Sequence, residues 1–312
     1  MSSIVVLAAD DVYAAVSPSV AVDAVRDAFV AHYRGEWTMP AKVYVTNYPA
    51  GDFRAMPALG GGHALLKWVT SFPGNPQRGL PTVSGIVLVS NAETGEHEAL
   101  LEGSAVTALR TGAAAVLACE VFGRSDAQTA SVIGAGVNGR AAARTFVERG
   151  RRVSLWDVDV ARAGAVASEL GCEVADSREE ALAADLVVTV TPGHEVLLGD
   201  GSLRAGQHVS LMGADGPGKA EITATELART RAFCDDWDQA SHGGELAHAV
   251  AAGLLGEGDV GRIGAVLAED APGRTSDDEI TSFDSTGLAI QDLAIAITAL
   301  GRAPSGAARI EL

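Results

Sequence analysis

The feature that most constrains the fold of this chain is a glycine-rich hexapeptide, GAGVNG, at residues 134–139. The apolar run TASVI before it predicts a strand, and the Ala-rich stretch 140–149, closed by Gly150, predicts a helix. A G-x-G-x-x-G pattern between a strand and a helix is typical of the turn that holds the pyrophosphate of a dinucleotide, because the helix start offers free N–H groups to phosphates. We therefore predict cofactor contacts from Gly134, Gly136, Val137, Asn138 and Gly139.

An acidic residue follows at the distance that a dinucleotide site requires. The segment RRVSLWD predicts a second strand that ends at Asp157, about 20 positions beyond the glycines. A carboxylate there accepts hydrogen bonds from ribose hydroxyls and would repel a 2′-phosphate, so NAD is predicted in preference to NADP. The alternative is an ordinary tight turn in an α/β sheet, with Asp157 capping a loop.

Strands and helices alternate from residue 129 onward, which predicts the α/β class with a Rossmann-type, doubly wound parallel sheet. The segments 185–192 and 207–215 are nearly continuous in apolar residues, as central parallel strands are, and 231–237 is a further candidate strand. Ser177 with Glu180 predicts a capping box at the start of a short helix. The acidic run SDDEITSFD (276–284) indicates a solvated loop with a helix cap at Ser285.

Three residues at the ends of these predicted strands are candidate cofactor contacts. Open α/β sheets bind their ligands outside the carboxyl ends of the strands. At such ends the sequence places Thr191, Met212 and Gly213.

The first 105 or so residues lack this alternation and predict an antiparallel sheet with an N-terminal helix. Long Ala-rich helices are predicted at about 104–122 and 286–300, and the second returns the chain to the first domain. We predict one domain from residues 1–115 and 289–312, with the nucleotide-binding domain inserted at 116–288.

Composition excludes several classes of function. The formal net charge of -17 repels a phosphate backbone, so nucleic-acid binding is not expected. The three cysteines lie far apart and the histidines form no H-E-x-x-H motif, so neither a disulfide framework nor a metal site is predicted. No apolar run approaches the roughly 20 residues that cross a bilayer, and the first residues do not read as a secretory signal. We expect a cytoplasmic protein without a membrane partner.

Several blocks of sequence outside the glycine motif resemble the ornithine cyclodeaminase/μ-crystallin family. They are MPAKVYV (39–45), GDFRAMPA (51–58), LLKWVTSFPGNPQRGLPTVSG (65–85), ALRTGAAA (108–115), MGADGPGKAEI (212–222) and SFDSTGLAIQDLA (282–294). The lysine of MPAK together with the arginine of GDFRAMP is most similar to the archaeal-type alanine dehydrogenases of that family. The resemblance implies a homodimer whose α+β first domain carries both the subunit contact and the substrate site.

The resemblance also implies roles for individual residues. Lys67 and Arg110 would contact the substrate, Lys42 falls where the family has an additional basic substrate residue, and Asp215 matches the catalytic aspartate of the cyclodeaminases. Thr286, in the loop near the nicotinamide, is a further candidate substrate contact. Candidate contacts to the cofactor by similarity are Thr82, Arg110, Lys219 and Ser285.

Hydride transfer from an amino acid needs a clamped carboxylate and a group that removes the proton of the amine. Arginine suits the clamp because its planar fork binds a carboxylate bidentately, so Arg110 is preferred and Arg54 is second. Lys67 could be the acid/base if burial and neighbouring cations lower its pKa, and Asp215 could orient the amine or activate water. Structural roles stay open, with Lys67 as an outward strand residue and Arg110 as a surface helix residue paired with Glu102 or Glu120.

These observations predict an NAD-dependent dehydrogenase that oxidises a small L-amino acid to the imine and then to the 2-oxo acid, releasing ammonia. One alternative is an ornithine- or lysine-type cyclodeaminase that recycles its NAD internally, and another is a reductase of cyclic imines. A nucleotide-dependent binding protein of the μ-crystallin kind is the non-enzymatic alternative. The partner expected in every case is a small amino or imino acid.

Overall fold

A computed structural model of the chain describes residues 3–193, 195–216 and 218–311. Its contacts divide the chain into two compact units. The first unit contains the described residues up to Arg110 and from Leu288 onward, and the second contains Thr111–Gly287. The second unit is therefore an insertion in the sequence of the first. That the two fold as separate domains, with boundaries at 115/116 and 288/289, stays a prediction.

The described residues form fifteen strands and eleven α-helices. The strands are β1 (Ser3–Leu7), β2 (Val43–Asn47), β3 (Gly51–Gly60), β4 (His63–Ser71), β5 (Val83–Asn91), β6 (His97–Glu102), β7 (Ala130–Ile133), β8 (Val153–Trp156), β9 (Glu173–Val174), β10 (Leu186–Thr189), β11 (His208–Leu211), β12 (Arg231–Cys234), β13 (Gly261–Arg262), β14 (Thr281–Asp284) and β15 (Ala308–Glu311). The helices are α1 (Ala9–Ala15), α2 (Pro18–Tyr33), α3 (Gly103–Phe122), α4 (Val137–Glu148), α5 (Val160–Leu170), α6 (Arg178–Leu182), α7 (Ala224–Ala228), α8 (Trp237–Gly243), α9 (Leu246–Ala251), α10 (Ile263–Leu267) and α11 (Ala289–Gly301).

The first unit is built on a seven-stranded sheet in the order β15-β1-β6-β5-β4-β3-β2. Its strands pair antiparallel, as predicted, except that β1 and β6 are parallel. Helix α11 packs against β3, β4 and α2, so one sheet face is covered. Side chains alternate accordingly along β4, where Leu65, Lys67 and Val69 are buried while Leu66 and Trp68 are exposed. Lys67 therefore points into the covered face.

The second unit contains an eight-stranded parallel sheet in the order β13-β12-β14-β11-β10-β7-β8-β9. Strand β7 lies between β10 and β8, so the direction in which the chain adds strands reverses beside β7. Ligands of such sheets bind at this reversal, outside the carboxyl ends of the strands. The predicted Rossmann-type class is confirmed.

Strand β14 corrects one detail of the sequence analysis. The run SDDEITSFD reads as a solvated acidic loop with a helix cap at Ser285, but Thr281–Asp284 is a fully buried strand between β11 and β12. The N-cap of α11 is Leu288, so Ser285 does not cap that helix. The strand was not predicted because three of its four residues, Thr281, Ser282 and Asp284, are polar.

Helix α3 is long and apolar enough to cross a membrane by length and composition, but 78% of its most apolar window is buried inside the protein. It begins where it does because the carboxylate of Glu102 accepts the N–H groups of Ser104 and Ala105, at 2.9 and 2.7 Å. The extensive burial identifies it as a core helix.

Candidate active site

The glycine loop after β7 has the geometry that a pyrophosphate requires. Gly134 has a φ of +106°, a conformation that side chains rarely adopt, and a Cβ at Gly139 would overlap the carbonyl oxygen of Gly134. Gly136 is the N-cap of α4, and it and Val137 are exposed at the helix start. The backbone of the first helical turn is thus open to an anion, and these residues fit a dinucleotide.

Asp157 lies at the end of β8 with its carboxylate directed into this loop. One oxygen accepts the N–H of Ala135 at 2.7 Å and the other accepts the N–H of Asp159 at 2.8 Å. The Arg162 guanidinium lies 3.7 Å from the first of these oxygens. Asp157 is buried, and its hydrogen bond to the Ala135 N–H holds the glycine loop in shape. The contact between Asp157 and the ribose stays a prediction.

A buried glutamate that the sequence analysis did not single out joins the loops after β10 and β11. One carboxylate oxygen of Glu221 accepts the N–H and the hydroxyl of Thr191, at 2.8 and 2.7 Å. The other accepts the hydroxyl of Thr189 at 2.6 Å and the N–H of Gly213 at 2.9 Å. Burial raises the pKa of Glu221, and these four donors oppose the increase. Glu221 therefore fixes the segments that carry Thr191, Met212 and Gly213.

A second buried acid, Asp235 after β12, organises the loop that follows β14. Its carboxylate accepts the Ser285 hydroxyl and the Gly287 N–H, each at 3.0 Å, and the Thr286 hydroxyl at 3.5 Å. Both hydroxyl residues are almost completely buried. In this structure Ser285 and Thr286 are thus oriented by Asp235.

Asp215 lies in the loop after β11 and is paired with a lysine of the same segment. The Lys219 Nζ donates to Asp215 Oδ1 at 2.5 Å, and the Asp215 side chain is 40% exposed. A carboxylate with this exposure can accept hydrogen bonds from a cationic amine that arrives from solvent. The pairing brings two of the predicted site residues together.

In the first unit, Lys67 is the most unusual of the predicted residues. It is 1% exposed, and its Nζ donates to Thr107 Oγ1 at 2.6 Å and to Asp292 Oδ1 at 2.8 Å. Burial lowers the pKa of Lys67 below its ordinary value of 10.5; Asp292 opposes this, while the charges of Arg110 and Arg54 lower the pKa further. The alternative of an outward-facing strand lysine is wrong.

Arg110 shares the same buried carboxylate. Its Nε lies 3.6 Å from Asp292 Oδ1, and Nη1 donates to Gln291 Oε1 at 3.4 Å. The Nε is buried and has no hydrogen-bond partner among the described residues. Neither Glu102 nor Glu120 pairs with it: Glu102 accepts backbone N–H groups and Glu120 pairs with Arg149. A buried guanidinium donor that lacks a hydrogen bond to the described protein groups favours an anionic ligand.

Arg54 lies on the same sheet face, two positions from Met56, which is the residue directly opposite Lys67. Its guanidinium donates to both oxygens of Asp52, at 2.6 and 3.4 Å, and lies over the Tyr44 ring at 5.3 Å. Asp52 therefore balances much of its charge, and Arg110 is the better candidate for the clamp.

Two other predicted residues of the first unit directly precede strands of its sheet. Lys42 is half-buried and comes one residue before β2, the strand that pairs with β3. Thr82 is exposed just before β5, and its carbonyl accepts the Phe72 N–H at 2.8 Å. Their predicted contacts to substrate and cofactor stay predictions.

The residues that organise the predicted ones were not themselves predicted from the sequence. Asp292 and Thr107 hold Lys67, while Glu221 and Asp235 hold the second unit's loops. For Asp292 a signal existed: it is the only charged residue in the run LAIQDLAIAITAL, and a charge on an apolar helix face requires a buried partner.

Comparisons with known proteins give one consistent result. A family model described as "Ornithine cyclodeaminase/mu-crystallin family" matches residues 3–306. The alanine dehydrogenase of Archaeoglobus fulgidus is 39% identical over an alignment of 304 residues that covers 93% of this chain and 92% of that protein. Relatives named delta(1)-pyrroline-2-carboxylate reductase and ornithine cyclodeaminase also match.

Solved structures agree with this result. An archaeal alanine dehydrogenase dimer with bound NAD superposes with a TM-score of 0.94 at 37% identity, covering 100% of both chains. The iminosuccinate reductase of Paracoccus denitrificans in complex with NAD+ gives a TM-score of 0.91 at 29% identity, again covering 100% of both chains.

Proposed function

Because this chain belongs to the ornithine cyclodeaminase/mu-crystallin family, we propose that it is an NAD-dependent enzyme that oxidises a small L-amino acid to a 2-oxo acid and releases ammonia. The observation that carries the proposal is the cationic cluster on the covered face of the first unit. Lys67, Arg110 and Arg54 face two carboxylates, Asp292 and Asp52, so the cluster has an excess positive charge when Lys67 is protonated.

With Lys67 neutral, the two guanidinium groups are available to the carboxylate of an amino acid, and the excess positive charge forms only after Lys67 has taken a proton from the ammonium. Arg110 would bind this carboxylate, since among the described residues only its Nη1 has a hydrogen-bond partner, Gln291, and its buried Nε has none. The second unit would hold NAD through the glycine loop, with Asp157 at the ribose and the loops fixed by Glu221 and Asp235 at the nicotinamide end. Bound NAD supplies the hydride acceptor.

The chain's own residues would handle the proton. Neutral Lys67 takes a proton from the substrate ammonium, and the amine electron pair forms a C=N bond as hydride leaves the α-carbon. Water then adds to the iminium carbon, a proton is lost, and cleavage of the C–N bond yields the 2-oxo acid and ammonia. A lowered pKa of Lys67 favours this role because a larger fraction of the residue is neutral near pH 7.

The experiment is an assay of purified protein with NAD and a panel of small L-amino acids that includes L-alanine, read as absorbance at 340 nm and as ammonia. We expect equimolar NADH and ammonia, and NADH consumption with pyruvate and ammonia. Replacement of Arg110 by Lys should lower kcat/KM about tenfold or more, because a charge-assisted bidentate contact is lost. Arg152→Lys, on a side chain that is 88% exposed, is the matched control and should be unaffected. An unchanged absorbance at 340 nm with every amino acid of the panel would refute the proposal.

One observation favours a second candidate, a cyclodeaminase. Asp215 is partly exposed in the loop after β11 and could hold the side-chain amine of ornithine or lysine. In that case ornithine or lysine yields ammonia and a cyclic product without net NADH, and Asp215→Asn abolishes the reaction. NADH consumption with a preformed cyclic imine would instead indicate an imine reductase. NAD binding without turnover of any of these compounds would indicate a binding protein.

We further propose that the chain forms a homodimer through the uncovered face of the first unit's sheet. A row of paired residues on this face, Val43, Ala55, Trp68 and Ile86, runs across four strands, and Val43 and Ile86 are each 56% exposed. The similar archaeal chain is a dimer. Light scattering should give twice the 31.8 kDa of one chain, and Ile86→Asp should halve that mass. An unchanged mass in Ile86→Asp would exclude this face. A cytoplasmic location stays a prediction.

A further inference from the structure

We propose that Asp292 and Thr107 are positioning residues that leave Lys67 one direction for proton exchange, and that the charge of Asp292 sets the pH at which this exchange works. The inference rests on the proposed function for its catalytic part. Both residues contact Lys67 directly, from helices on either side of the inserted unit in the sequence.

The hydrogen atoms on these groups can be counted. The Thr107 hydroxyl donates its only proton to the Gly103 carbonyl at 2.6 Å, so its oxygen can only accept from Lys67. Asp292 Oδ1, as a carboxylate oxygen, also accepts. A neutral Lys67 amine has two hydrogens, and both are donated to these two oxygens. The nitrogen lone pair then points in a single remaining direction, where a proton can arrive.

The same count applies to the charged form. Protonated Lys67 has three hydrogens, of which two stay on Thr107 and Asp292. The third occupies the position of the former lone pair. Protonation therefore changes one site and leaves the other two hydrogen bonds in place, which is the arrangement that an acid/base group needs.

Charges on three elements of the first unit control the protonation equilibrium of Lys67. Arg110 on α3 and Arg54 on β3 disfavour the ammonium, whereas Asp292 on α11 favours it. On β5 the residue opposite Lys67 is Val87, which carries no charge. Among these groups Asp292 is the one whose charge keeps Lys67 available as an acid after it has taken a proton.

The primary test is Asp292→Asn, which retains an oxygen acceptor for Lys67 and removes the negative charge that Lys67 and Arg110 share. The rising limb of kcat against pH in the oxidative direction should move to lower pH by about one unit or more, the usual effect of an opposite charge at this distance. A loss of packing alone would lower kcat without moving the limb. An unmoved limb overturns the inference.

A direct measurement separates this inference from the proposed function. The chain has three lysines, Lys42, Lys67 and Lys219, so lysine labelled with ¹³C at Cε gives a spectrum that single replacements assign. The titration midpoint of Lys67 should fall in Asp292→Asn. If the midpoint falls in Asp292→Asn but the wild-type protein turns over no amino acid, the proposed function is refuted and the electrostatic arrangement is supported. An unchanged midpoint overturns the inference whatever the activity.

Thr107 provides an independent test if Asp292→Asn does not fold. Thr107→Val removes the acceptor and should lower kcat about tenfold or more with KM little changed, and Thr107→Ser should restore it. Thr298→Val is the matched control, because the Thr298 hydroxyl also donates to a carbonyl four residues earlier, in α11, without a lysine partner. Equal losses in Thr107→Val and Thr298→Val, or no rescue by serine, would overturn the positioning role of Thr107.

Discussion

The clearest quantitative prediction concerns Asp284, at the end of the central strand β14. It is fully buried, its Oδ2 accepts the Leu246 N–H at 2.9 Å, and its Oδ1 has no hydrogen-bond partner among the described residues. Burial raises the pKa of Asp284 from 3.8 to about 8; the Leu246 N–H opposes this, and the charges of Asp235 and Glu221 add to it. The folded protein therefore holds a proton here that the unfolded chain has lost above about pH 4.

The sign and size of the pH dependence of stability follow from this difference in protonation. A group with a raised pKa contributes stability below its unfolded pKa and loses it as the pH rises toward the folded pKa. Between pH 5 and 7 the unfolded chain is ionised at Asp284 and the folded protein is not, so the contribution of Asp284 to stability falls by roughly 1.4 kcal/mol per pH unit, or about 3 kcal/mol over this range. Asp284→Asn keeps an acceptor for Leu246 and has no proton to lose. Its stability relative to wild type should therefore rise by about 3 kcal/mol from pH 5 to 7.

Urea unfolding of both proteins at pH 5, 6 and 7, followed by tryptophan fluorescence, measures this difference. The buried, non-titrating variant Thr145→Val is the control, and its difference from wild type should not change with pH. If the wild-type and Asp284→Asn free energies of unfolding run parallel over this range, the protonated state of Asp284 in the fold is refuted.

Three further predictions test other parts of the chain. Gly139→Ala should weaken NAD binding at least about tenfold in calorimetry, since its Cβ would overlap the Gly134 carbonyl, whereas Gly164→Ala, with open space around it, should not. Ser177→Ala should destabilise the protein by about 1 kcal/mol in urea unfolding, because its hydroxyl caps α6. A thiol reagent should label Cys172 first in the native protein, because it is the least buried of the three cysteines, and labelling should stop in Cys172→Ser; a faster reaction elsewhere would contradict this burial order.

Local signals carried most of the correct fold prediction. The strand, glycine loop and second strand ending at Asp157 are consecutive, so each element follows from nearby residues. The cap at Ser177 was equally local: its hydroxyl accepts the Glu180 N–H at 3.1 Å, although the Glu180 carboxylate reaches the N–H of Asp176 and not that of Ser177.

Non-local contacts account for what the sequence could not predict. Lys67 and Asp292 are separated by 225 positions, and no period or spacing connects an acid in an apolar helix to a lysine in a distant strand. Thr189 and Glu221 are 32 positions apart and meet only because β10 and β11 are neighbours. Strand β14 was not predicted for a related reason. It is buried because of its position between β11 and β12, which its composition does not reveal.

The insertion of the second unit has a consequence for synthesis on the ribosome. Lys67 and Arg110 are translated before the inserted residues, but Asp292 is translated after them. A nascent chain that ends before Leu288 contains both cations without the carboxylate that they share, and an unpaired buried charge is strongly destabilising. The interior around Lys67 can therefore close only when α11 arrives, so the most deeply buried ion pair of the described residues is completed near the end of translation.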